Sequence, residues 1–196
     1  MKKKKVLVVV AHPDDEIIWM GGYLVRHCVL KKDWKATIIS LCRRGDIDRA
    51  PKFKKVCEFF NASGFISDLE DEKLIPLDLR EVIERILKLA DSKYDYIFTH
   101  GENGEYGHIR HIEVHKAILE MIQKKMISTR RLFFFDYIKK DNDCYANKNA
   151  DKFIKLNEFE ISIKKDIIKN LYGFTQNSFE ERNSRSDEAF KIKDEN

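Results

Sequence analysis

Short apolar runs rich in β-branched residues alternate along this chain with longer segments whose apolar residues recur at helical spacing. Four of the short runs predict buried strands, at residues 5–10, 36–42, 94–99 and 132–138, and a weaker strand candidate lies near residues 74–77. The amphipathic segments predict helices at residues 17–30, 52–61, 79–90, 112–121 and 156–171.

Strands that alternate with helices predict a parallel sheet, because each crossover helix returns the chain to the same edge of the sheet. We therefore expect an α/β fold, a Rossmann-like three-layer sandwich with a mostly parallel central sheet. No Gly-x-Gly-x-x-Gly turn follows the first strand, so the sequence lacks the phosphate-binding turn of a dinucleotide-dependent enzyme.

The chain has 196 residues, enough for one well-buried core, and we expect a single domain over residues 1–175. Residues 176–196 are rich in Glu, Arg, Ser, Asn and Lys and carry few apolar anchors. This composition predicts a polar C-terminal tail that is extended or disordered unless a partner orders it.

The 37 basic and 33 acidic residues nearly cancel to a formal net charge of +4, so we expect no nucleic-acid partner. No apolar stretch approaches the roughly 18 residues that a membrane span needs, and residues 2–10 are too short for a secretory signal. The four cysteines form no Cys-x-x-Cys pair, which favours reduced thiols. We expect a soluble cytoplasmic protein, and the sequence leaves open whether it forms a homo-oligomer.

The most informative polar residues follow the first predicted strand, where residues 11–16 read Ala-His-Pro-Asp-Asp-Glu. Open α/β sheets bind ligands just beyond the carboxyl ends of their strands. Pro13 fixes its own φ and biases His12 away from helix, so the hexapeptide should leave the strand as a stiff turn. Such a turn can hold metal ligands in fixed positions.

A second cluster follows the strand predicted at residues 94–99 and contains four histidines, His100, His108, His111 and His115. The ends of two parallel strands can converge on one cleft, so His12, Asp15 and one histidine of this cluster would supply three metal ligands. Three protein ligands with an open fourth position are typical of catalytic zinc. His111 and His115 are four residues apart, and their spacing alone does not decide between them.

These motifs resemble those of the LmbE-like or PIG-L zinc deacetylases, which remove the acetyl group from N-acetylated sugars. The similarity rests on residues 11–16 and on Gly-His-Ile-Arg-His at residues 107–111, whose order and spacing also fit. It covers roughly residues 5–120. Ile109 and Arg110 stand where the family usually has Pro-Asp.

The resemblance implies that His12, Asp15 and His111 bind zinc, which leaves His115 outside the ligand set. Asp14 would be the general base, and a protonated His108 would stabilise the oxyanion or protonate the leaving amine. The implied activity is zinc-dependent removal of acetyl from an N-acetylglucosamine-type sugar or glycoconjugate. Zinc lowers the pKa of its bound water to about 7, and a neighbouring carboxylate can then accept the proton.

Five further residues are candidates for contacting the substrate: Arg43, Arg44, Glu105, Tyr106 and Arg110. One arginine can bind two phosphate or sugar-diphosphate oxygens at once. For each of these arginines, the alternative is a solvated surface charge. The loop that holds Glu105 and Tyr106 is flanked by glycines, so these two side chains either contact the sugar or shape the turn.

Two other functions are compatible with the sequence. The chain could bind a sugar or glycoconjugate without hydrolysing it, which the altered Ile109-Arg110 segment favours. It could also be a metal-dependent phosphoesterase in which Asp14, Asp15 and Glu16 share two ions. The proline-constrained turn leaves little room for two ions.

Overall fold

The computed structural model describes residues 2–185 and 187–194, and its centre is a seven-stranded sheet in the order β3-β2-β1-β4-β5-β9-β8. These strands are β1 (Lys4–Val10), β2 (Trp34–Cys42), β3 (Ser63–Leu69), β4 (Tyr96–Thr99), β5 (Arg131–Phe135), β8 (Lys152–Ile154) and β9 (Glu188–Asp194). A separate hairpin pairs β6 (Tyr137–Lys140) with β7 (Asp143–Ala146).

Seven helices connect the strands within the described residues: α1 (Asp15–Leu24), α2 (Arg49–Phe59), α3 (Leu79–Leu87), α4 (Gly104–Gly107), α5 (Ile109–Gln123), α6 (Glu158–Asp166) and α7 (Phe179–Asn183). Both α1 and α6 continue into π-helical turns, at Val25–Leu30 and Ile167–Leu171. None of the described helices is long and apolar enough to cross a membrane.

The five strands from β1 to β5 are parallel, and β8 and β9 add antiparallel pairings to this sheet. This confirms the expected α/β sandwich with a mostly parallel sheet. From β1 the chain builds the sheet first toward β3 and then, through β4, in the other direction. Ligands bind α/β sheets at such a reversal of strand order, and the two polar clusters lie there.

Each face of the sheet packs against its own helical layer. In β1, Val6, Val8 and Val10 face a core shared with α1, α2 and α6, while Leu7 and Val9 face a core shared with α3 and α5. Alternation of side chains along a strand produces this division. All five residues are fully buried, as expected for a central parallel strand covered on both faces.

The prediction of a strand near residues 74–77 is wrong, because this segment is a loop whose Pro76 has no N–H for a ladder bond. The strand in this part of the chain is β3, which the sequence analysis missed. It lies at the sheet edge and is only partly buried, so its apolar signal is weak. The strand predicted at residues 132–138 is two strands, because Asp136 separates β5 from β6.

The prediction of an extended or disordered tail at residues 176–196 is also wrong for its described part. It contains α7 and β9, and β9 pairs with both β5 and β8 inside the sheet. Ala189 and Phe190 are fully buried, and the side chain of Glu188 is buried against α1. The boundary expected at residue 175 therefore falls within the sheet-forming part of the chain, and Ser186, Glu195 and Asn196 lie outside the described residues.

Candidate active site

The turn after β1 is held in an uncommon conformation by buried polar contacts. Asp14 has φ 118°, a left-handed value that is costly for a residue with a side chain. Its N–H donates to Glu16 Oε2 at 3.0 Å, and the hydroxyl of Tyr172 donates to Glu16 Oε1 at 2.5 Å. Glu16 thus holds the backbone of Asp14 in the conformation of this turn.

Three donor atoms from the two sequence clusters face one another. The Oδ2 atom of Asp15 lies 3.2 Å from His12 Nδ1 and 3.3 Å from His111 Nε2, and these two nitrogens are 3.3 Å apart. Ligands placed tetrahedrally at zinc distances are about 3.3–3.4 Å from one another. The triangle of two imidazoles and one carboxylate therefore fits one face of a zinc coordination sphere.

A second layer of carboxylates orients these histidines. Asp71 Oδ1 lies 3.0 Å from His12 Nε2, and Glu105 Oε2 lies 2.5 Å from His111 Nδ1. A carboxylate on one ring nitrogen leaves the lone pair of the other nitrogen free for a metal. Trp19 Nε1 donates to Asp15 Oδ1 at 2.9 Å, which leaves Oδ2 of the same carboxylate facing the histidines.

Burial and the histidines pull the pKa values of these carboxylates in opposite directions. Burial raises the pKa of Asp15, but His111 and His12 outweigh it and hold that pKa well below the usual range. Burial likewise raises the pKa of Glu105, but His100 and His111 outweigh burial and lower that pKa to about 2. Both groups are therefore ionised at neutral pH and suited to bind or orient cations.

Asp14 lies beside the triangle in a different environment. Burial and the adjacent Asp15 raise its pKa well above the usual range, while Arg49 pairs with its Oδ2 and opposes that rise. A carboxylate with a raised pKa accepts a proton more readily than an ordinary aspartate. This environment suits a general base.

His108 borders the triangle on the solvent side, with its ring 4.7 Å from that of His12. It is the N-cap of α5, and its Nδ1 accepts the N–H of Arg110 at 3.3 Å. Burial and the nearby His111 and His12 lower its pKa to about 4. Because Nδ1 accepts the N–H of Arg110, a neutral ring carries its proton on Nε2, and the lowered pKa favours that form over the protonated ring expected from the sequence.

A cavity of about 170 Å³ opens directly over these groups. It is lined by His12, Asp14, Asp15, Ile18, Arg43, Arg49, Tyr106, His108, Phe179 and Glu180. Two of the residues expected to contact substrate, Arg43 and Tyr106, are therefore on its wall. Arg43 Nη2 also donates to Asp71 Oδ2 at 2.9 Å.

The other three expected substrate contacts do not line this cavity. Arg110 is fully buried and bonds to Glu113 at 2.6 Å and to Glu70 at 2.7 Å. Glu105 is buried behind His111, and Arg44 pairs with Asp68 on the exposed side of the loop at 3.3 Å. The structure thus places these three side chains outside the lining of the cavity, in contacts with other protein groups.

The remaining two histidines of the second cluster lie behind the triangle. His100 is fully buried, with Nδ1 2.8 Å from Glu105 Oε2 and Nε2 accepting the N–H of Ala11 at 2.9 Å. His115 Nδ1 donates to the carbonyl of His100 at 2.9 Å. Of the two candidates, His111 rather than His115 has a ring nitrogen that faces Asp15, with Nε2 3.3 Å from Oδ2.

The sequence analysis missed Arg49, Asp71, Phe179 and Glu180 as site residues. Asp71 and Arg49 follow β3 and β2, so their place near the carboxyl edge of the sheet was a usable signal. Phe179 and Glu180 carried no such signal, because they come from the segment expected to be a tail.

Two sequence comparisons extend these observations. A sequence model described as "PIG-L: GlcNAc-PI de-N-acetylase" matches residues 7–122, which include both site motifs. The "Uncharacterized protein L374" of Acanthamoeba polyphaga mimivirus is 25% identical over 178 aligned residues, covering 79% of this chain and 76% of that protein.

Solved structures share the fold at low sequence identity. The N,N'-diacetylchitobiose deacetylase from Pyrococcus horikoshii has a TM-score of 0.72 at 15% identity, covering 97% of this chain and 84% of that chain. GalB, the 4-carboxy-2-hydroxymuconate hydratase of Pseudomonas putida KT2440, has a TM-score of 0.62 at 16% identity, covering 93% and 83%. The conserved protein TT1542 of Thermus thermophilus has a TM-score of 0.61 at 16% identity, covering 86% and 78%. A hydratase and a deacetylase thus share this architecture, so the reaction must be inferred from the site.

Proposed function

This chain belongs to the GlcNAc-PI de-N-acetylase (PIG-L) family, and from that premise we propose that it is a zinc-dependent hydrolase that removes the acetyl group from an N-acetylglucosamine-type sugar or glycoconjugate. One observation carries the proposal. The donor triangle of His12, Asp15 and His111 lies beside Asp14 and His108 under the same small cavity. These are the ligands, base and hydrogen-bond donor that amide hydrolysis needs.

The chain's own residues have distinct tasks in this proposal. His12, Asp15 and His111 hold the ion, which when bound supplies Lewis acidity toward water and the carbonyl oxygen. Asp14 accepts a proton from the water that attacks the acetamide carbon. His108 donates from Nε2 to the carbonyl oxygen as negative charge develops on it, and such a donor is typically worth about 3 kcal/mol. When the C–N bond breaks, the proton held by Asp14 passes to the amine, so the products are acetate and a free amino sugar.

Arg49 has a supporting task in the same step. Its contact with Asp14 Oδ2 fixes the carboxylate and opposes the protonation that burial favours. Arg49 therefore favours the ionised form of Asp14, in which this carboxylate can accept a proton. We also propose a cytoplasmic location, since all four cysteines are free thiols.

Metal analysis and an acetate assay test the proposal together. We expect about one zinc per chain and acetate release from at least one member of a panel of N-acetyl sugars, free and linked to nucleotide, lipid or inositol. Asp14→Asn should keep the metal and lose about 10²–10⁴-fold in rate, because the base is removed. Asp141→Asn, the same change at an exposed loop position, is the matched control. A folded, zinc-loaded wild type that releases no acetate from the whole panel would contradict the proposal.

The phosphoesterase alternative is not favoured by the positions of the carboxylates. Glu16 points to Tyr172 and to the N–H of Asp14, away from the triangle. Two ions shared by Asp14, Asp15 and Glu16 would need these carboxylates to converge. The acetate assay distinguishes hydrolysis of the sugar's acetamide from binding of the sugar without hydrolysis.

A further inference from the structure

We propose that Phe179 and Glu180, at the start of α7, form a selective wall that binds one face of an uncharged N-acetylhexosamine ring and rejects a ring carrying an anionic group there. This inference rests on the proposed function, because it concerns the sugar that enters the same cavity. The wall lies outside residues 7–122, which the family's sequence model matches. It is therefore a feature of this chain's C-terminal part.

The wall is fixed in place by bonds to the β6–β7 hairpin. Arg182 Nε donates to Asp143 Oδ1 at 2.7 Å, and Asn183 Oδ1 accepts the N–H of Cys144 at 2.6 Å. The hairpin is in turn joined to the loop of the second cluster, because Asn103 Nδ2 donates to the carbonyl of Tyr137 at 3.0 Å. A wall held in this way is pre-organised, so ligand binding does not have to order it.

Phe179 gives the wall an aromatic surface. Its ring meets that of Tyr106 edge to face, with centroids 4.9 Å apart, and both residues line the cavity. Tyr106 also lies 5.7 Å from the ring of His108. The face of an aromatic ring is electron-rich and attracts the polarised C–H groups of a sugar. This pair therefore offers an apolar platform next to the reacting groups.

Glu180 gives the wall an unneutralised charge. Arg49 pairs with Asp14 and Arg43 pairs with Asp71, so both cavity arginines have carboxylate partners. Among the described residues, the side chain of Glu180 has no hydrogen-bond or ion-pair partner, although it lines the cavity. An ionised carboxylate only accepts hydrogen bonds. It can bind sugar hydroxyls, and it repels a phosphate, sulfate or uronate group.

The size of the cavity agrees with one sugar ring. Its volume is about 170 Å³, so the hydroxyl-bearing side of a single hexosamine would contact the wall while the acetamide lies at the triangle. Sites of this kind use a few placed polar groups and an aromatic surface to fix the orientation of a ligand. An extra anionic group on that side would meet Glu180 directly.

Direct binding to the full-length, zinc-loaded protein tests the wall without relying on turnover. The probe is the methyl glycoside of glucosamine carrying a methylsulfonyl group in place of acetyl, which resists hydrolysis, together with its 6-phosphate. Titration calorimetry should show that the wild type prefers the uncharged probe by about tenfold or more. Glu180→Gln keeps a hydrogen-bond acceptor and removes the charge, so the ratio of the two Kd values should fall about tenfold.

The aromatic contribution is tested in the same titrations. Phe179→Leu should weaken binding of the uncharged probe about tenfold, and Phe179→Tyr should restore it because the ring is kept. The matched controls are Glu84→Gln and Phe159→Leu on exposed helix surfaces, which should bind like the wild type. Thermal unfolding of each variant verifies that it is folded.

Three results would overturn the inference. These are a wild type that binds neither probe, an unchanged Kd ratio in Glu180→Gln, and unaltered binding in folded Phe179→Leu. Failure of the proposed function is distinguishable from these results. A protein that binds the probes as expected but releases no acetate has the wall without the deacetylase activity. A protein that releases acetate, while the Glu180→Gln and Phe179→Leu variants bind the probes like the wild type, refutes only the wall.

Discussion

Glu105 shows how a single buried carboxylate can set the state of a whole site. Its Oε2 lies 2.5 Å from His111 Nδ1 and 2.8 Å from His100 Nδ1, and its Oε1 accepts the N–H of Gly101 at 2.7 Å. The two imidazole rings stack with centroids 3.8 Å apart. Because the Nδ1 atoms of both rings face the same oxygen, Nε2 is the nitrogen of His111 that is left to face Asp15.

Glu105→Gln should therefore weaken metal binding while the protein remains folded. Loss of an orienting carboxylate behind a histidine ligand typically costs about 10–100-fold in metal affinity. Zinc affinity is measured by competition with a chromogenic chelator, and Glu102→Gln, an exposed neighbour paired with Lys191, serves as the control. Wild-type affinity in Glu105→Gln would show that the carboxylate does not tune the metal site.

Helix α1 illustrates how an element can be shaped by residues distant in sequence. Met20 breaks its helical geometry with φ −148°, and the N–H groups of Gly22 and Tyr23 donate to the carboxylate of Glu188 at 2.7 and 2.8 Å. Lys164 pairs with the same carboxylate at 2.9 Å, and both charged side chains are fully buried. The helix whose first residue is Asp15 is thus held by α6 and by β9.

Helix α6 begins with a capping box and an ion pair that make its stability depend on pH. Asn157 caps the backbone N–H of Glu160, and the side chain of Glu160 accepts the N–H of Asn157. Glu160 also makes a two-pronged contact with Arg26 at 2.6 Å. Burial opposes ionisation of Glu160, but Arg26 prevails and lowers its pKa below the ordinary value of 4.5.

A carboxyl group with a lowered pKa stabilises the fold above its ordinary pKa and loses that contribution as pH falls through the folded-state value. We expect Glu160→Gln to lower the free energy of unfolding by about 1.5–3 kcal/mol at pH 7. The deficit should shrink as the pH falls below 4.5 toward the lowered folded-state pKa, because wild-type Glu160 then becomes protonated and uncharged like the glutamine. Urea unfolding between pH 3 and pH 7 measures this, with exposed Glu158→Gln as control. A deficit that stays constant over this range would refute the assignment to charge.

For the molecule as a whole, local patterns predicted the parallel core and the two polar clusters but not how the periphery folds. Buried central strands have a continuous apolar signal, so β1, β2, β4 and β5 were found. The edge strand β3 and the tail strand β9 carry exposed, charged positions, and their pairing depends on distant partners. Similarly, the sequence identified Arg110 as a candidate but not the direction of its side chain. Glu70, on another segment, and Glu113, one turn further along the same helix, determine that direction.

Because β9 pairs with distant strands, we predict that the segment expected from the sequence to be a tail is required for folding. Ending the chain at Asp187 removes β9, which lies between β5 and β8 and carries the fully buried Phe190. It also leaves Lys164 buried without its partner Glu188, and removal of one member of a buried pair alone costs about 3–5 kcal/mol.

Truncating a buried phenylalanine costs about 3–5 kcal/mol more. The loss of the ion pair and the loss of the phenylalanine together approach the whole stability of a typical domain, about 5–15 kcal/mol. The truncated chain should therefore lose its near-ultraviolet circular dichroism and its cooperative urea transition. Phe190→Ala should unfold cooperatively at a lower urea concentration, and Lys191→Gln, an exposed substitution on the same strand, should resemble the wild type. A truncated chain with a native spectrum and a cooperative transition would show that β9 only covers the sheet edge, without being required for the fold.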